Sequence, residues 1–216
     1  MGVRATRGAR PPRSSVSSVA RFRRPLPERA WPPPAALDAV LRACVRILFE
    51  ECRGDPRLWL SEGDLQGMLY AILAHELPAH GVPPTAVHAG YACRLGREVR
   101  ERLGRRRALL AADLAVVIPS TIRLLPKRRW EAELAAVIEV KRGCERLGEM
   151  RADLEKLAAI RQAQPSAQAY MVMMGYRSRP EDVAAASRLA ESLAISLLCD
   201  TYWGTDTPPS AQPELV

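Results

Sequence analysis

The sequence has no C-x-x-C pair, no apolar run approaching the length of a membrane span, and no glycine-rich nucleotide fingerprint. Each absence removes a class. The five cysteines, Cys44, Cys52, Cys93, Cys144 and Cys199, are odd in number and scattered. Neither a zinc site nor a disulfide framework is expected from them, and a reduced, intracellular, cytoplasmic setting is. Without a membrane-length span, no membrane partner is expected. There is no G-x-x-x-x-G-K-[ST], and no G-x-G-x-x-G after a strand, which argues against a nucleotide enzyme. No serine-hydrolase elbow occurs either. The three histidines, His75, His80 and His88, suggest no cluster and read as surface or helix-end residues.

What is present fits one globular domain with tails. The chain has 216 residues, and its 48% hydrophobic and 26% charged content is enough to bury a core. The formal charge of +8 is concentrated at one end: residues 1–34 hold eight arginines and one acid, Glu28. Everything after Pro34 is nearly neutral. The expected organisation is a basic, disordered Pro/Arg-rich arm over 1–34, a folded domain over 35–203 and a flexible tail over 204–216. The arm is suited to touching an anionic polymer, and reads equally as an unstructured leader.

Apolar residues at helical spacing (Leu37, Leu41, Cys44, Val45, Leu48) predict a helix over Ala35–Cys52. A second is predicted from Glu62 to Leu77, opened by Ser61 as N-cap and Asp64 at the third helical position, with Leu60 and Leu65 placed as a staple. Strands are expected near 86–95, 109–118, 133–141, 168–176 and 195–202, and further helices over 149–162 and 180–194. The arginine-rich stretch 94–107 has no firm assignment. Pro126–Arg129 reads as a turn joining antiparallel neighbours. The order of elements implies an α/β fold with a mixed sheet flanked by helices.

Two of these strands carry the most informative residues. Ala108–Ile118 is apolar except for Asp113, and Leu134–Lys141 is apolar except for Glu139 and Lys141. An unpaired carboxylate in such a run loses its hydration at considerable cost, so two in neighbouring strands suggest a shared cation. Strand alternation puts Glu139 and Lys141 on one face. Asp113 reaches the same place if the register allows. Two carboxylates there form a hard oxygen site suited to Mg²⁺, able to activate a water against a phosphodiester, with Lys141 beside it to steady negative charge.

The bland readings are definite too. Glu139 and Lys141 serve equally as a solvated strand end or an ion pair, and Asp113 as a partner for Arg105–Arg107. Glu62 is favoured in a first helical turn by the helix dipole alone. Glu98 and Glu101 are weak candidates for a further ligand. Asp153 and Lys156 read as a solvated helix face, Met171, Met173 and Met174 as core, and Lys127–Arg129 as an exposed cluster or a phosphate contact.

Asp113…Glu139-Val140-Lys141 resembles the core motif of the PD-(D/E)XK nuclease superfamily, with Ala112 standing where the motif's name has proline. Glu62 and Gln66 resemble the E-x-x-x-Q pair found on the preceding helix of many members, and the likeness extends over about residues 58–176. The resemblance implies a restriction-endonuclease-like fold, Mg²⁺ held by Asp113 and Glu139 (with Mn²⁺ able to substitute), and catalytic roles for Lys141, Glu62 and Gln66. It implies a nucleic-acid substrate, DNA rather than RNA. At this size, site-specific cutting would need a homodimer or a partner subunit. The alternative is a non-catalytic nucleic-acid-binding or assembly module on the same fold.

Overall fold

A computed structural model describes residues 31–55, 61–102, 109–125, 129–143, 147–175 and 178–200. Most of the expected arm, the expected tail, the staple residue Leu60, Arg105–Arg107 and the tip of the Pro126–Arg129 turn lie outside the described residues.

Helices α1 (Pro34–Gly54) and α2 (Glu62–Glu76) come first. A proline at the first helical position, where no amide partner is needed, starts α1, and it buries Leu37, Leu41, Cys44, Val45, Leu48, Phe49 and Cys52 along one stripe. The start of α2 is a reciprocal capping box. The Asp64 amide donates to Ser61 Oγ at 3.2 Å, and the Ser61 amide donates to Asp64 Oδ2 at 2.7 Å. Leu65, Leu69 and Leu73 of α2 are fully buried.

The strands are β1 (Val87–Arg94), β2 (Leu109–Val117), β3 (Arg123–Leu125), β4 (Arg129–Glu131), β5 (Leu134–Lys141), β6 (Gln168–Met173) and β7 (Ser196–Cys199). Helices α3 (Arg97–Arg102), α4 (Leu147–Ala163) and α5 (Pro180–Ser192) lie between them. The main sheet has five strands in the order β1-β2-β5-β6-β7. It is mixed: β1, β2 and β5 pair antiparallel, whereas β5, β6 and β7 pair parallel through the α4 and α5 crossovers. The fold is therefore α/β, a mixed sheet flanked by helices.

The central strands follow from their composition. β5 is buried along its whole length except at Lys141, which is why it reads as a continuous apolar run rather than an alternating one. β6 is buried from Ala169 to Met173, and Met171, Met173 and Met174 are core residues. The arginine-rich stretch divides into the end of β1 and the short α3. Around the Pro126–Arg129 turn the chain forms a separate two-stranded sheet, β3–β4, on which Leu124 and Trp130 are exposed. Its three-residue strands are too short to show a period in sequence. Among the described residues, no helix is long and apolar enough to cross a membrane.

Candidate functional site

Asp113 sits at a fault in the sheet on both of its edges. Toward β5, the ladder runs from Val117↔Leu134 to Leu114↔Ile138 and stops there. Beyond it, side chains take the amides that ladder bonds would otherwise use. Asp113 Oδ2 accepts from the Val140 amide at 2.8 Å, and Glu139 Oε1 accepts from the Asp113 amide at 3.3 Å. Toward β1, the pairing passes from Ala89↔Leu114 to Tyr91↔Ala112, and the unpaired residue is Gly90 at φ +61°. That left-handed conformation suits glycine and marks a local irregularity opposite Asp113. The Asp113 carbonyl is taken by Gln66 Nε2 from α2, at 2.7 Å.

The two carboxylates are thus fixed by backbone at the point where β2 and β5 part. Glu139 is 1% exposed. Burial pushes its pKa up to about 8, the neighbouring Asp113 charge adds to the rise, and Lys156 opposes it.

Two lysines meet these acids. Lys156 of α4 donates from Nζ to Glu139 Oε2 at 2.7 Å and pairs with Asp153 Oδ1 at 3.0 Å. Lys141 of β5 pairs with Asp153 Oδ2 at 2.9 Å and Glu62 Oε2 at 3.2 Å. The result is a connected series, Glu62–Lys141–Asp153–Lys156–Glu139–Asp113, drawn from α2, β2, β5 and α4. Burial works to lower the pKa of Lys141, but Asp153 and then Glu62 more than reverse it and hold it above the ordinary lysine value. Burial likewise disfavours the Asp153 carboxylate, and the hydrogen bonds from Lys141 and Lys156 outweigh it, leaving the pKa lowered. Lys156 ends raised for the same reason, through Glu139 and Asp153.

All five residues singled out from sequence (Glu62, Gln66, Asp113, Glu139 and Lys141) are therefore neighbours. Asp153 and Lys156 are not the solvated helix face that the sequence suggests: their side chains are 20% and 19% exposed, and both belong to the series. The sequence did hold a signal for Asp153. It stands three residues after Met150 and four before Leu157, inside the buried stripe of α4. Glu98 and Glu101 are exposed on α3, where Glu101 pairs with Arg97 at 2.7 Å. His75 and His80 are exposed at helix ends, and His88 lies against Tyr91.

No family model and no curated protein matches this chain.

Among the described residues, no three His, Cys, Asp or Glu side chains gather as a metal-holding group. Glu62, Asp113, Glu139 and Asp153 are linked through Lys141 and Lys156, and Asp113 and Glu139 are the two acids set side by side. The approach to Asp113 is open. Leu109, Ala111 and Asp113 alternate onto one face of β2, and Leu109 and Ala111 are exposed. Their β1 partners, Arg94 and Ala92, are exposed as well. These four exposed residues form a strip on the paired strands that leads to Asp113 and carries Arg94 at its far end.

Proposed function

We propose that this protein is a Mg²⁺-dependent nuclease that hydrolyses phosphodiester bonds in DNA, built on the PD-(D/E)XK plan that its Asp113…Glu139-Val140-Lys141 run resembles. The observation that carries the reading is the pair of carboxylates, Asp113 and Glu139, held side by side by backbone amides where β2 and β5 part. Two adjacent hard carboxylates fit a divalent cation. Mg²⁺ in particular is commonly held by only one or two protein carboxylates, with waters and substrate phosphates filling its other positions. Asp113 and Glu139 would hold it, with Mn²⁺ able to replace it; when bound, the ion would polarise a phosphate and acidify a water.

The chain's own residues supply the rest. Lys141, kept charged by Asp153 and Glu62, stands where its ammonium can steady charge growing on a phosphate and orient the attacking water. Gln66 holds the Asp113 carbonyl and so fixes the strand that presents the first acid. The open strip beside Asp113 suits an extended substrate better than a small molecule, and Arg94 is placed for a phosphate. Site-specific cutting would call for a second copy or a partner subunit. Cys44 and Cys93 are buried free thiols, in keeping with a reduced, cytoplasmic setting.

A second reading, a non-catalytic nucleic-acid-binding or assembly module, is favoured by one observation: Lys156 already occupies an oxygen of Glu139. One experiment separates the two. The full chain and a Glu139→Ala/Lys141→Ala variant are incubated with plasmid and single-stranded DNA in Mg²⁺, Mn²⁺ or EDTA. Cleavage by the wild type alone, abolished by EDTA, and reduced at least about a hundredfold in the variant, is the expected result. A folded wild type that binds DNA without cutting any substrate would establish the module instead.

A further inference from the structure

We propose that Lys156 is a displaceable counter-ion: in the metal-free protein it stands in for the cation at Glu139, and it withdraws onto Asp153 when the cation binds. This inference rests on the metal site proposed above.

Glu139 has one oxygen on the Asp113 amide and the other on Lys156, at 2.7 Å. With its side chain only 2% exposed, it has little access to water for compensation. The Asp113 carboxylate alongside makes the position worse, because two like charges fixed together repel. Lys156 relieves this in the absence of a cation. A cation arriving at Glu139 must then share or replace the contact that Lys156 makes.

The surroundings of Lys156 suit it to giving way. Asp153, one turn earlier on the same helix, holds the ammonium at 3.0 Å and keeps it after Glu139 is released. The ammonium is compact, with rotatable donors on a flexible four-carbon stem. The helix itself need not move, since Leu154, Leu157 and Ile160 anchor α4 in the core. Lys141 is differently placed: its partners are Glu62 and Asp153. The two lysines therefore divide the work, Lys141 bonded to the half-exposed Glu62 and Lys156 to the buried Glu139. The counter-ion lowers cation affinity below that of a bare carboxylate pair, and in exchange the pair stays in place while empty.

The test is calorimetric titration of Mg²⁺ into the full chain without nucleic acid, comparing wild type with Lys156→Gln and Lys156→Arg. Lys156→Gln removes the charge and keeps a donor, so it is expected to bind Mg²⁺ about tenfold tighter or more. It should also gain more thermal stability from Mg²⁺ than the wild type does. Lys156→Arg keeps the charge and should stay close to wild type. Equal or weaker binding by Lys156→Gln overturns the role of Lys156 while leaving the metal site standing. If neither wild type nor Lys156→Gln binds Mg²⁺ or Mn²⁺, the metal site falls and the counter-ion with it. Should Lys156→Gln fail to fold, amine acylation of the wild type followed by mass spectrometry decides. Lys156 is expected to become more reactive when Mg²⁺ is added, and unchanged reactivity overturns the proposal.

Discussion

Glu139 and Asp200 are each 1% exposed, and the protein treats these two buried carboxylates in opposite ways. Asp200, just past β7, receives the Arg53 guanidinium in a two-pronged pair. Arg53 Nε donates to Oδ2 at 2.9 Å, and Nη2 donates to Oδ1. A planar fork matched to a carboxylate is the strongest way to hold such a charge. The Asp200 amide is also bonded, to the Met173 carbonyl at 2.9 Å. Glu139 instead meets an ammonium on one oxygen and a second carboxylate nearby. A charge kept for structure is matched where it stands. Glu139 is matched by one amide and one flexible ammonium, which suits the cation site proposed for it.

Breaking the closed pair should cost the most. Arg53→Ala leaves Asp200 buried without its guanidinium and is expected to lower stability by about 3 kcal/mol, read from chemical denaturation. A loss under about 1 kcal/mol would mean that Asp200 is no better matched than Glu139.

Next comes Gly175, at φ +66°, where an added Cβ would collide with the Asp200 carbonyl oxygen. Gly175→Ala combines an unfavourable backbone with a clash against backbone, so a loss of about 2 kcal/mol is expected. Full stability in that variant would show that the Asp200 end yields easily, and the contrast with Glu139 would fade.

The smallest effect belongs to Glu139→Gln without metal. Near pH 4.5, where the buried carboxyl keeps its proton, replacing it by a neutral amide should change stability by less than about 1 kcal/mol. The pH dependence sharpens this. The folded pKa of Glu139, about 8, lies above its ordinary 4.5, so the native state binds the proton more tightly than the unfolded chain does. This group's contribution is therefore fully present below about pH 4.5 and is lost as pH rises toward about 8. Wild-type melting temperature, relative to Glu139→Gln, should fall across that window in EDTA. A difference that stays flat would show that Glu139 is as well matched as Asp200.

The architecture is largely legible in sequence because the central strands carry a strong signal. β2 and β5 are apolar runs of eight or nine residues bounded by polar turns, and α2 opens with its capping residues in order. The adjacency of Asp113, Glu139 and Lys141 follows from strand alternation once β2 and β5 are neighbours. Three things do not follow. The β3–β4 hairpin is too short to show a period. Gly90 marks a fault that only pairing reveals. Asp153 stands in the buried stripe of α4, but what it and Lys156 meet depends on where the helix docks, which no local pattern encodes. Arg53 and Asp200 lie 147 positions apart and escape sequence reading for the same reason.

The series from Glu62 to Lys156 also bears on how the protein reaches its working form. Its members come from a helix at the start of the domain, two strands in the middle and a crossover helix beyond them. No hairpin or helix pair contains the set. Closing it requires α2 to dock, β2 and β5 to pair, and α4 to return across the sheet, so it forms only after several long-range contacts are made. Shortened chains and partly folded intermediates would lack the assembled acids, so the proposed centre would not exist before the elements that build it are in place.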